Sequence, residues 1–174
     1  MKFSIGYQFV ANRSFAEAVI KYQNSIGEVY FSWGDIPNGR NTLDKFDNST
    51  LFEMQSLLIR DLGEISKAGI SLNILLNANC YGANSQSRTF FNKIGSIIDY
   101  IKVNFSLKSV TTTSPLIAKF IKQNFPELEV RASVNMEIGT TEGMDYIADF
   151  LNVTAIIEAA YRSAEKDCEV KVEI

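Results

Sequence analysis

Asp35, Arg40, Asn77, Asn79, Cys80, Arg131, Asn135 and Glu137 fall on or just after segments that read as β-strands. Asp35 with Glu137 could form an acid–base pair if their loops converge, because neighbouring carboxylates push their pKa values apart; the alternative is two solvated acids. Arg131 could hold an anionic ligand bidentately or close an ion pair with a nearby acid. Asn77 and Asn79 are either ligand contacts or turn caps, and Tyr81 beside them reads as a ring packed over the loop. Cys80 is a nucleophile, a ligand or an inert loop thiol. Arg40 follows a Pro37-Asn38-Gly39 turn, from which it reaches back over the site or stays in solvent. Trp33 packs beneath that loop. The chain has no histidine. A Ser-His-Asp or Cys-His centre and His-ligated metals within it are thereby excluded. Acid–base work falls to Asp, Glu, Lys, Tyr or a borrowed subunit.

These residues need elements to position them. Lys2 to Tyr7 reads as a first strand, and Ser14-Phe-Ala-Glu17 as a capping box opening a helix to about Asn24. Glu28 to Trp33 is aromatic and β-branched enough for a second strand. Thr50-Leu-Phe-Glu53 caps a helix whose apolar period runs to Ala68, with Gly69 as its stop. Ile70 to Asn77 is a third strand, and Phe91 opens a helix carried by Ile94, Ile97, Ile98 and Ile101. Leu107 to Thr112 is a fourth strand. Ser114-Pro115 supplies an N-cap and an N1 proline for a helix ending near Asn124. Glu129 to Met136 is a fifth strand and Thr141 to about Leu151 a helix. A tail helix, Thr154 to Lys166, and a strand, Glu169 to Ile174, follow.

Strand-then-helix alternation at this spacing is the mark of parallel βαβ units. In the fifth strand Arg131, Ser133, Asn135 and Glu137 share one face and Val130, Ala132, Val134 and Met136 the other. Asn73 and Asn77 in the third strand, and Ser109, Thr111 and Thr113 about the fourth, again give polar faces. A parallel sheet covered by helices on both sides would be apolar throughout. A (β/α) TIM-type barrel with a polar lumen fits better, and its site is expected at the C-terminal ends of the strands, where Thr112 and Thr113 join the residues named above. A closed eight-fold barrel takes about 250 residues. With 174 residues the expectation is a partial or truncated barrel in a single α/β domain, 1–174, with 1–151 as barrel portion and 152–174 as a divergent tail.

The stretch SVTTTSPLIAKFIKQNFPELEVRASVNMEIGTTEGMDYIADF (Ser109 to Phe150), together with LNILLNANCYG (Leu72 to Gly82), resembles the amino-terminal barrel half of the collagenase-like peptidase family, U32. The resemblance spans most of residues 1–151 and contains no catalytic motif. It implies a (β/α) barrel in a family named for peptidases, some members of which are associated with hydroxylation of RNA bases or quinones and with an iron–sulfur cluster. The family's cluster cysteines lie downstream of the matching region, and Cys80 and Cys168 alone cannot supply four thiolates. No cofactor is therefore expected in this chain. The functional expectation is a fragment or short relative of that family, nominally a hydrolase and inactive alone. The alternative is a non-catalytic module for a small ligand or peptide, completed by self-association.

Charge and hydropathy bound the partners. A formal net charge of −3 gives no general field for a nucleic-acid backbone, whose binding rests on several cations displacing counterions. The apolar runs fall short of the roughly 20 residues that cross a bilayer, and Met1 to Gly6 runs into a strand without signal-peptide features. Two distant cysteines form neither a CxxC pair nor a disulfide framework. A soluble cytoplasmic protein is the expectation, with homo-oligomers formed through unpaired strand edges.

Overall fold

Five β-strands, each followed by a helix, lie side by side in chain order. The computed structural model describes residues 2–9, 14–39, 51–83 and 85–148. The elements are β1 (Phe3–Gly6), α1 (Phe15–Lys21), β2 (Ile26–Phe31), α2 (Leu51–Lys67), β3 (Ser71–Leu76), α3 (Arg88–Asn104), β4 (Leu107–Thr112), α4 (Pro115–Asn124), β5 (Glu129–Ala132), a 3₁₀ turn (Val134–Met136) and α5 (Thr141–Ala148). All four strand pairings are parallel, in the order β1-β2-β3-β4-β5. This order never reverses. Right-handed crossovers between successive neighbours lay every connecting helix on the same side of the sheet, whereas a doubly wound sheet needs a reversal to cover both sides. The result is an α/β arrangement of partial TIM-barrel type.

The core lies between that sheet and its helices. Val29 and Phe31, Leu72, Ile74 and Leu76, Val110, and Val130 meet Leu58, Leu62 and Ile65 of α2, Ile94, Ile98 and Ile101 of α3, and Ile117 and Ile121 of α4. Full burial of each such side chain is worth about 1.5–3 kcal/mol. Local chemistry sets the helix starts. The Ser14 hydroxyl accepts from Glu17 N (3.1 Å), that of Ser87 from Phe90 N (3.2 Å) and that of Ser114 from Ile117 N (3.4 Å). Gly69, at φ 77°, ends α2 in the left-handed conformation that glycine alone adopts without cost.

Several boundaries differ from the sequence reading. The fifth strand stops at Ala132 rather than Met136, because the Ser133 hydroxyl accepts from Asn135 N (3.3 Å) and turns the chain into the 3₁₀ segment. Asn135 and Glu137 therefore leave the strand face on which alternation placed them. β2 begins at Ile26, two residues early. A Cβ on Gly27 would stand 3.0 Å from Lys2 Cβ, so this glycine lies where the chain entering β1 approaches closely. α3 starts at Arg88 rather than Phe91, and α1 ends at Lys21 rather than near Asn24. Cys168, the helix expected over Thr154 to Lys166 and the strand over Glu169 to Ile174 lie outside the described residues. Among the described residues no helix is long and apolar enough to cross a membrane.

Candidate ligand-binding site

The sheet face opposite the helices is polar, and a single carboxylate organises it. Glu28 Oε1 accepts from Ser4 Oγ (2.8 Å), Asn73 Nδ2 (3.4 Å) and Arg131 Nη1 (2.9 Å), and Oε2 accepts from Ser109 Oγ (3.2 Å) and Arg131 Nη1 (2.7 Å). Those partners stand on β1, β3, β4 and β5, so one β2 side chain joins all five strands. Two register shifts, between Phe3 and Ser4 and between Leu72 and Asn73, each come directly before a residue that reaches Glu28, as expected where bulges re-aim side chains. Asn73 also pairs with Thr111 (3.0 Å), and Arg131 Nη2 with Glu129 Oε2 (2.6 Å). The Glu28 side chain is 13% exposed, so these bonds replace lost hydration.

Arg131 is thus held by two acids rather than presented to an anion. Burial opposes its charge, but the hydrogen bond and charge of Glu129 and the charge of Glu28 outweigh burial and raise its pKa above arginine's ordinary value. Glu28 escaped the sequence reading, although alternation of Glu28, Tyr30 and Ser32 was a readable signal for a polar inner face.

At the C-terminal ends of the strands the segment after β2, up to Gly39, reaches the loops that follow β3 and β5. Gly39 N donates to Asn77 Oδ1 (3.0 Å), and Asn135 Nδ2 donates to Asn77 O (3.4 Å). A Cβ on Gly39 would lie 2.9 Å from Asn135 Nδ2 and 3.0 Å from Asn77 O; only a glycine passes there without displacing its neighbours. Asn77 and Asn135 therefore position the loop. Gln55 Oε1 accepts from Gly34 N (3.3 Å). Asp35 is pinned by Lys93 on α3, whose Nζ lies 2.8 Å from Asp35 Oδ2 and donates to Asp35 O at 3.1 Å. That pair is solvated on both sides. Asp35 is not among the residues that share the cavity with Glu137. Arg40 lies outside the described residues.

A cavity of about 620 Å³ opens between the loops after β3, β4 and β5. Its walls bring together Asn79, Cys80, Tyr81 and Gln86 with Thr113, Ser114 and Pro115, and with Asn135, Met136 and Glu137. The Thr113 hydroxyl donates to Ala78 O (2.6 Å), and the Tyr81 hydroxyl donates to Leu76 O, which fixes the β3 loop against the sheet end. Burial raises the Tyr81 phenol pKa against hydrogen bonds from Thr113 and Thr112 that lower it, so this hydroxyl stays protonated at neutral pH. Its ring meets Phe90 edge-on at 5.5 Å, the packing role expected of it. Cys80 is exposed and accepts from Gly82 N (3.4 Å). Glu137 stands at φ 52°, ψ 40°, a left-handed conformation that costs a non-glycine residue about 1–2 kcal/mol. Gln86, Ser114, Pro115 and Met136 were missed from sequence, because a lining role depends on how loops distant in the chain converge.

The cavity can orient a ligand through amides, hydroxyls and one carboxylate. Among the described residues no group of three or more His, Cys, Asp or Glu side chains is placed to hold a metal ion. The donor set that an iron–sulfur cluster requires does not fit these residues.

No family model and no curated protein matches the chain. Among solved structures, that of the U32 peptidase Mk0906 is similar with a TM-score of 0.67 and 14% identity, covering 99% of this chain and 67% of that chain. Dihydroorotase from Campylobacter jejuni gives a TM-score of 0.45 at 14% identity over 87% of this chain and 39% of that chain. The likeness to the U32 peptidase is one of fold, that of a distant structural relative.

Proposed function

We propose that this chain is the ligand-holding part of a U32-peptidase-like (β/α) barrel and binds a small polar molecule or peptide segment at the C-terminal mouth of β3, β4 and β5. The observation that carries this reading is the cavity between those three loops, at the end of the barrel where ligands are bound in this architecture. Hydrolysis of peptides is the reaction class that the name of the structural relative suggests. The described residues hold the substrate rather than cleave it: Cys80 has no histidine to activate it, and Asp35 is tied to Lys93. Bond cleavage then depends on groups outside the described residues or from a second chain. Two cysteines far apart in the sequence suit a reducing cytoplasm.

The test is titration of the purified chain with short peptides, followed by amide NMR and calorimetry, alongside a peptide-hydrolysis assay. Shifts confined to residues 78–86, 113–116 and 135–137, with no cleavage, are the expected result. Saturable binding that leaves these three loops unperturbed would end the reading.

A further inference from the structure

We infer that the cavity selects a ligand carrying an ammonium group on an apolar stem, with the Glu137 carboxylate as the group that recognises the charge; this rests on reading the cavity as the ligand site. Among its lining residues Glu137 is the one that brings a formal charge, and none is Lys or Arg. The one formal charge at the cavity is therefore negative, which favours a cationic group beside Glu137. Asn79, Gln86, Thr113 and Ser114 add neutral hydrogen-bonding groups, while Pro115, Leu116 and Met136 supply apolar wall suited to a methylene chain.

The state of Glu137 supports the assignment. Its side chain is exposed at the cavity, and its carboxylate makes no hydrogen bond or ion pair with any described residue, which leaves it open to a ligand. Its backbone is left-handed at φ 52°, where glycine fits without strain. A charged side chain kept unpaired at a strained position beside a cavity fits a binding role, since such strain collects at ligand clamps. Asn135, two residues earlier, ties the same turn to Asn77, so the carboxylate is carried on an anchored segment.

Two ligand sources share this chemistry: a lysine side chain of a peptide and a free alkyl diamine. The experiment uses the full chain with N-acetyl-lysine methylamide, putrescine and, as the uncharged isostere of the first, N-acetyl-norleucine methylamide. Calorimetry and amide NMR read affinity and location. The lysyl compound is expected to bind roughly tenfold to a hundredfold more tightly than the norleucyl one, the span of a charge-assisted hydrogen bond. Glu137→Gln should erase that difference by weakening binding of the lysyl compound. Glu137→Gly should lose it too while keeping or raising the thermal midpoint, which separates recognition from folding. Tighter binding of the lysyl compound than of putrescine assigns a peptide, and the reverse a free amine.

Equal affinities of lysyl and norleucyl compounds in the wild type, or a Glu137→Gln chain that keeps the preference, would overturn the inference and leave the cavity as a ligand site. No response of the cavity loops to these compounds or to any short peptide would remove both.

Discussion

Glu28 spans five strands through hydrogen bonds and an ion pair, so its replacement tests whether the inner wall is structural. Glu28→Gln keeps the shape but leaves the Arg131 charge facing Glu129 alone. Breaking one side of a buried pair costs about 3–5 kcal/mol; with the arginine 34% exposed, about 2–3 kcal/mol is expected here, read as a lower urea midpoint. Arg131→Met added to Glu28→Gln should recover part of that loss, because the orphaned charge is removed with its partner. Tyr7 provides a second test. Its hydroxyl donates to Asp61 Oδ2 (3.2 Å) in a buried contact, and burial first, then the Asp61 charge and hydrogen bond, raise the phenol pKa well above its ordinary 10.0. The neutral phenol is the form the fold prefers. Its contribution is complete below pH 10 and is lost as pH climbs from the unfolded value towards the folded one. Tyr7→Phe should lower stability at neutral pH by about 1–3 kcal/mol, as Asp61 loses a donor, and flatten the alkaline decline; denaturant titrations at several pH values check both. Site residues were legible as types in loops after strands. What each one touches was not, since Asn77, Asn135 and Gly39 meet across 96 residues of chain.

Helix starts carry a measurable share of the stability of each element. Ser114 caps α4 and Pro115 occupies its first turn. Ser114→Ala is expected to cost about 0.5–2 kcal/mol, measured as a shift in the urea midpoint. These elements also show what sequence can and cannot disclose. β4 and α4 were readable to the residue, because a β-branched run leads directly into a Ser-Pro start whose chemistry has one structural outcome. The Ser87 cap of α3 passed unnoticed, as Phe90 stands where a capping box would place Glu or Gln. β5 read too long because Val134, Asn135 and Met136 keep period-two alternation while the Ser133 hydroxyl bends the backbone. Side-chain alternation describes a strand only while the backbone stays extended, and one local hydrogen bond outweighed it.

In the described chain β1 and β5 each pair on one side only, and Phe3 on β1 is 60% exposed. Unpaired edges of this kind recruit other strands. The weight-average mass in sedimentation equilibrium is expected to rise with concentration, and Phe3→Lys, which puts a charge on the edge, to suppress the rise. A constant monomer mass would show that these edges are covered. The barrel type was foreseeable because polar faces recurred in successive strands, whereas the approach of Gly39 to Asn77 and Asn135 depends on contacts that no local pattern encodes. The neighbour order of the strands bears on how such a protein can grow. Because every strand lies next to its predecessor, another strand and helix can be laid beside β5 without any existing connection being crossed or rethreaded. Duplication of a single such module would extend the sheet at its margin.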